Sequence, residues 1–344
     1  MKEVILEDKL TTDKSRADKA PGAAFDRKRI ALLNRFGPLL ALFLVYGFFA
    51  MLNPKIVTPT AIETIVQQTV IVGVASIGMT FVIISGGIDL SAGSIIAMGS
   101  VAVAFLMRDW GLGSLPAAVG GVFAGLVLGL INGTLITRLK VVPFIVTLGT
   151  LLVVRGVAKG LAHSMPINVP QTWLSGLLAA LPPELKWMLI PAGAWLMIGL
   201  ALLAAGFLRY TRLGHHVFAV GSNEQTARLC GVAVERVKVF VYATSGAFSG
   251  MGGLMLMSYQ EQGDPTGAVG MELDVIAAVV IGGGSLSGGQ GSILGSLVGA
   301  IIMTVIRTGC QLNGWPTWVT QVVTGIVIVI AVAVDRLRHR NLGL

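Results

Sequence analysis

Only 12% of this 344-residue chain is charged and 54% is hydrophobic, so every charge inside an apolar run is a candidate for chemistry. Asp89 stands in the turn Gly86-Gly87-Ile88-Asp89-Leu90-Ser91, with Ser94 close behind it. Arg155 and Lys159 close one apolar run, Arg307 closes another, and Glu272 and Asp274 open a third. Carboxylates and guanidinium groups in such surroundings pair with one another or face a water-filled cavity open to polar solutes. Both readings stand for Arg155, Asp274 and Arg307. For the turn at 86–91, a structural role stands beside solute contact. Ser91 is placed to cap the helix that follows, and Asp89 to do the same from further out. Glu261 and Asp264 lie between apolar runs, where they are solvated or meet a soluble partner.

Other chemistries find no support. His163, His215, His216 and His339 lack metal-ligand spacing, so no metal site is expected. Cys230 and Cys310 are the only cysteines and lie far apart, which suggests no disulfide framework. No His/Asp/Glu constellation suggests catalysis, and the chain reads as a non-enzyme. No Gly-x4-Gly-Lys-Ser/Thr sequence occurs, so the chain has no phosphate cradle of its own and is expected to bind no cofactor. Leu286-Ser287-Gly288-Gly289-Gln290 does spell the signature of ABC-type ATPase domains. In an ATPase that signature opens a helix within a soluble α/β domain. Here it lies between two apolar runs, and a Gly-rich turn is the better account.

The elements around these residues follow from hydropathy. Soluble domains carry roughly 25% charged residues, about twice the fraction here, so the surroundings of this chain are largely lipid. Apolar runs near the length that crosses about 30 Å of hydrocarbon fall at 36–52, 65–85, 92–107, 116–137, 143–157, 188–208, 239–257, 275–284, 293–306 and 318–334. The expected fold is an all-α polytopic membrane protein of about ten transmembrane helices, eight or nine if some are re-entrant. The run at 275–284 is short for a span, and is either broken or begins at Met271. With the N-terminus inside, 19 of the 25 Lys/Arg fall on cytoplasmic segments. Trp110, Trp173, Trp187, Trp315 and Trp318 then sit at or near the outer face, as an interfacial belt would. The net charge of +8 accordingly marks cytoplasmic flanks rather than nucleic-acid binding.

This gives a cytoplasmic N-terminal tail over 1–35, disordered to about residue 25, a transmembrane domain over 36–334, and a cytoplasmic tail over 335–344. No short apolar core or cleavage site near the start suggests a removed signal peptide. Gly121, Gly125, Gly129 and Gly133 recur every four residues in the fourth span, and Gly291, Gly295 and Gly299 in the ninth. Such small faces let helix backbones approach closely, here within one subunit in preference to between subunits. The turn at 86–96 resembles 283–294, a faint repeat of the kind that builds transporters from two related halves.

The long polar interruption, 209–238, lies between the sixth and seventh spans and holds five Lys/Arg. Ser222 at N-cap and Gln225 at N3 match a capping box, Glu224 favours the positive helix start, and Gly231 supplies a left-handed stop. The expected helix is about two turns, too short to be stable alone, and so it docks on something.

Three stretches carry a resemblance to a known family: Ser85–Ser100, Phe218–Val232 and Glu272–Ser292. They look like the signatures of the ribose/xylose/arabinose/galactoside group of bacterial ABC importer permeases, in order and spacing, over about 36–334. The resemblance implies a multi-pass subunit of the bacterial inner membrane that translocates a monosaccharide, pentose or hexose. It implies a second permease subunit, identical or paralogous, two cytoplasmic ATPase subunits that bind the ATP, and a periplasmic sugar-binding protein. The central segment would couple to the ATPase through Gly221, Asn223, Glu224, Ala227 and Gly231, which match the family motif, with Ser222 and Arg228 beside them. Ser222 and Thr226 depart from the Asn or Gly and the Ala of many relatives, but both remain small. The rival readings are a permease for another small solute, such as a branched-chain amino acid or a signalling sugar derivative, and a gradient-driven transporter working alone.

Overall fold

A computed structural model describes residues 21–180 and 190–342, with side-chain surroundings over 37–180 and 190–333. The helices are α1 (Pro21–Leu52), α2 (Pro59–Ile84), α3 (Ala92–Arg108), α4 (Ser114–Leu139), α5 (Pro143–Leu161), α6 (Ala192–Tyr210), α7 (Arg212–Ser222), α8 (Glu224–Leu229), α9 (Val234–Gln260), α10 (Met271–Ile281), α11 (Ile293–Leu312) and α12 (Thr317–Leu342). Two short strands, β1 (Ile167–Asn168) and β2 (Gln262–Gly263), pair antiparallel and join the loops that follow α5 and α9.

Helix α2 is the centre of the bundle. Thr58 caps it, and Pro59 occupies its first turn, where no amide partner is needed. From Val70 onward it is almost wholly apolar and buried all round; a helix segment without a polar face has to be enclosed. The outer helices do the opposite. Phe43 of α1, Phe123 of α4, Leu152 of α5 and Leu203 of α6 are exposed, an apolar outer surface suited to lipid.

Among the described residues, α2, α4, α5, α6, α9 and α11 are long and apolar enough to cross a membrane, and α1, α3 and α12 contribute shorter apolar stretches. The chain is therefore a predominantly helical polytopic membrane protein. The short eighth run begins at Met271, and at about 1.5 Å per residue the 11-residue α10 covers roughly half of a 30 Å hydrocarbon core. A glycine-rich turn, 282–292, then leads into α11.

Several of the recurring glycines lie against neighbouring backbone within this chain. On α4, a β-carbon at Gly125 would lie 2.3 Å from the Gly246 carbonyl oxygen of α9, and one at Gly129 would lie 2.2 Å from that of Tyr242. Gly133 meets Val239 of α9, while Gly121 faces Val103 and Gly99 of α3. Gly295 and Gly299 of α11 lie against the backbone of Gly282 and Ala278. Gly291 differs from expectation: it stands in the turn before α11 and meets the Ile84 side chain.

The expected tails and central loop are more ordered than their polarity suggested. α1 begins at Pro21 and α12 runs to Leu342, so 21–35 and 335–342 are helical. Residues 1–20 and 343–344 lie outside the described residues, as does Trp187 of the expected interfacial belt. Within 209–238 stand α7, α8 and the start of α9.

Candidate functional site

Three glycine-bearing segments meet at one end of the bundle. The backbone of Gly221, near the end of α7, lies against the end of α2: a β-carbon there would sit 1.7 Å from the Ile84 carbonyl oxygen and 2.7 Å from the Gly289 nitrogen. The Gly289 amide donates to that same Ile84 carbonyl at 2.8 Å, satisfying one of the acceptors that a helix end leaves open. Gly288 is also near: a β-carbon there would lie 2.5 Å from the Gly221 carbonyl oxygen and 3.0 Å from the Gly86 α-carbon. Gly86, Gly288 and Gly289 all have positive φ, a conformation that glycine adopts at no steric cost. The ATPase-like Leu286–Gln290 sequence thus makes backbone contacts inside the helical bundle. The two turns of the faint repeat, at 86–91 and 283–292, are joined through the central segment.

Helix α8 follows at once. Its N-cap is Asn223, extended at φ −158°, whose Oδ1 accepts the Thr226 amide at 2.8 Å. Ser222 does not cap it. Ser222 is still helical as the last residue of α7, and a cap residue must leave the helical conformation. The capping box with Gln225 is therefore not formed, and α8 has six residues. Its far end closes as expected. Gly231 has φ +84°, its amide donates to Arg228, and the Val232 amide donates to Ala227, the paired bonds of a Schellman stop.

Only Ala227 of α8 is buried. Glu224 pairs with Arg228 at 3.4 Å and with Lys238 at 2.7 Å, and Arg228 pairs with Glu235 at 2.7 Å. These exposed pairs are individually weak, but together they tie α8 to the first turns of α9. Leu229 is left 88% exposed.

Asp89 is fully buried beside this junction. Oδ1 accepts from the Ser91 amide and hydroxyl at 3.0 and 2.5 Å, and Oδ2 accepts from the Ser245 hydroxyl of α9 at 2.9 Å. Asn132 of α4 donates to Ser91 Oγ at 2.8 Å. Ser91 holds the N-cap position of α3, but its hydroxyl makes no capping bond because Asp89 has taken it. Ser94 turns its hydroxyl back to the Ser91 carbonyl. The carboxylate bridges α3 and α9 directly and reaches α4 through Ser91, contacts that give Asp89, Ser91 and Ser94 a structural role at this turn.

At the opposite ends of α10 and α11, Arg307 Nη2 donates to Asp274 Oδ2. Asp274 is almost completely buried and Arg307 partly so. The pair borders a cavity of about 160 Å³ lined also by Gln68 of α2, Tyr259 and Gln260 of α9, and Thr304 and Gln311 of α11. A wider hollow, reaching Trp315 and Gln321, shares Asp274, Arg307 and Gln311. Arg155 is not part of it. Its guanidinium donates to the carbonyls of Gly267 at 2.7 Å and Pro265 at 3.3 Å, which fixes the loop before α10. Nearby, Asp264 accepts from the amide and hydroxyl of Thr266.

Sequence reasoning singles out Asp274 and Arg307 as candidates and passes over Gln68, Gln260 and Gln311, which line the same cavity. The signal was available for Gln68, an amide inside a long apolar run. Gln260 and Gln311 stand at helix ends, where polarity is ordinary.

Comparisons with known proteins agree with this architecture. The model of the family described as "Branched-chain amino acid transport system / permease component" matches residues 61–332. The ribose import permease protein RbsC of Bacillus subtilis (strain 168) is 38% identical over 321 residues, covering 90% of this chain and 96% of that protein. RbsC of Escherichia coli (strain K12) is 35% identical over 299 residues, covering 86% and 92%. The L-arabinose ABC transporter permease protein AraH of Azospirillum brasilense is 33% identical over 311 residues, covering 90% of each chain. No solved structure matches the chain. By the extent of the family match and by these full-length relatives, the chain belongs to the family of branched-chain amino acid transport system / permease components.

Proposed function

We propose that this chain is the membrane subunit of an ATP-driven importer that carries a monosaccharide, a pentose or hexose, across the bacterial inner membrane. ATP is bound and hydrolysed by separate cytoplasmic ATPase subunits, a periplasmic binding protein delivers the sugar, and a second permease subunit completes the pathway. In this reading the chain crosses the membrane about ten times with both termini inside. The sugar assignment rests on relatives named for ribose and L-arabinose; the family description, which names branched-chain amino acids, supplies the runner-up.

The observation that carries the ATPase coupling is α8: a helix capped at both ends, tied by ion pairs to α9, yet presenting all its residues except Ala227 outward. A solvent-facing leucine on such a short ordered helix fits a partner's cleft. Gly221, Ser222, Asn223, Glu224, Ala227, Arg228 and Gly231 form the coupling segment, with Leu229 at its tip. Pressure on α8 is transmitted two ways, to α9 through the Glu224 and Arg228 pairs and to both glycine turns through Gly221. Asp274 and Arg307 lie on the solute pathway at the other end. A rigid element pushed at one end and a cavity at the other is the arrangement that alternating access needs.

The test is reconstitution of this permease with its ATPase subunits and binding protein. Labelled D-ribose, L-arabinose and L-leucine are offered in separate assays, with Leu229→Arg beside the native chain. Sugar uptake, and its loss together with stimulated ATP hydrolysis in the variant, is expected. Uptake of leucine instead, or full coupling with Leu229→Arg, overturns the corresponding half of the reading.

A further inference from the structure

Resting on the sugar-importer reading, we infer that the cavity bounded by Gln68, Gln260, Gln311 and the Asp274–Arg307 pair is a binding site for a polyhydroxylated solute in transit, with the ion pair as its movable wall. The cavity lies between α2, α9, α10 and α11. Amide side chains enter it from three of these helices, in a bundle whose interior is otherwise mostly apolar.

The side-chain oxygens of Gln68 and Gln260 are both buried without a hydrogen-bond partner. Buried acceptors are almost always satisfied; these two belong to residues lining one cavity but have almost no accessible surface, so a ligand's O–H donors reach them once the amides turn inward. Amides both donate and accept, and each sugar hydroxyl does the same. A branched-chain amino acid would bring a hydrocarbon side chain and two charges to this wall of amides and one already-paired ion pair. The cavity of about 160 Å³ has room for several waters, and so for one small sugar.

Asp274, Arg307 and Gln311 also line the neighbouring wider hollow. The pair therefore stands between the two spaces, and parting it would widen the passage from one to the other. The remaining wall supports the same assignment. Tyr259 offers an aromatic surface of the kind that pairs with the C–H face of a sugar, beside the apolar Ile71 and Val72.

The experiment uses the full transporter. Gln68→Leu and Gln260→Leu remove the orphan acceptors while keeping side-chain bulk. Each is expected to weaken sugar uptake about tenfold, the equivalent of one or two lost hydrogen bonds. The melting temperature should stay level or rise, because a buried acceptor without a partner has been replaced by an apolar group. Independently, Gln260→Cys in a Cys230→Ser background is treated with a small thiol reagent in the presence of D-ribose, L-arabinose or L-leucine. Protection by the sugars alone supports the site. Unchanged uptake kinetics in both leucine variants, or sugar uptake with no protection at position 260, overturns the site while leaving the importer reading intact. Leucine uptake with protection by leucine overturns the importer reading itself, and the polyol assignment falls with it.

Discussion

Gly221 lies so close to Ile84 that a β-carbon on the glycine would stand 1.7 Å from the isoleucine carbonyl oxygen. The obstacle is backbone, at the end of the most buried helix, and it cannot swing away as a side chain can. Gly221→Ala is therefore expected to cost about 1–3 kcal/mol through overpacking, read as a lower melting temperature of the purified permease with sugar uptake lost. Gly231→Ala is the contrasting case. It has open space around it and φ +84°, so only the left-handed backbone penalty of about 1–2 kcal/mol applies, confined to the end of α8. If Gly221→Ala melted like the native chain, the glycine junction would not be a tight contact.

The change of cap from Ser222 to Asn223 has a direct consequence. Asn223→Ala should destabilise α8 by about 1 kcal/mol, raise hydrogen exchange at the Thr226 amide, and weaken sugar-stimulated ATP hydrolysis. Asn223→Asp should preserve all three, because its carboxylate accepts the same amide. Ser222→Ala should change none of them. Loss of protection in Ser222→Ala and not in Asn223→Ala would reverse the assignment.

Asp274 and Arg307 form a pair in which the carboxylate is almost fully enclosed. Arg307→Leu leaves a buried charge alone and is expected to lose about 3–5 kcal/mol, whereas the double variant Asp274→Leu/Arg307→Leu should recover most of that loss. Thermal melting checks the stability cycle. Uptake should stay low in the double variant, since the polar pathway wall is gone. Recovery of transport along with stability would assign the pair a purely structural role.

Asp89 gathers donors from Ser91 and Ser245. Asp89→Ala strands all of them and should lower stability by about 3 kcal/mol, at about 1–3 kcal/mol per stranded group with partial relaxation. Asp89→Asn keeps the Oδ1 acceptor, and the Ser245 hydroxyl can turn to accept from the new amide, so about half the loss should return. Equal melting of the two variants would show that shape, and not hydrogen bonding, holds the turn.

Much of this molecule is legible in short windows. Charge fraction and hydropathy place the chain in lipid because few charges cannot cover a water-facing surface. The Gly121–Gly133 spacing announces a close helix contact because every fourth residue returns to one helix face, and Gly231 announces a helix stop because few residues but glycine take its φ. The three motifs, Ser85–Ser100, Phe218–Val232 and Glu272–Ser292, carry the family. Even the error at Ser222 was local. Two adjacent residues can each cap α8, and the choice depends on where α7 ends.

What the tertiary structure decided lies between segments distant in sequence. No local rule brings Ile84, Gly221 and Gly289 together, or places Gln68 and Gln260 on one cavity with Asp274 and Arg307. Nor does any sequence pattern separate Arg155, which holds backbone carbonyls, from Arg307, which holds a carboxylate. Hydropathy and capping act over a few residues, and so composition alone settled the class of protein. Partners for buried polar groups are chosen by how helices pack, so only the folded bundle decided which charge holds backbone carbonyls and which borders a cavity.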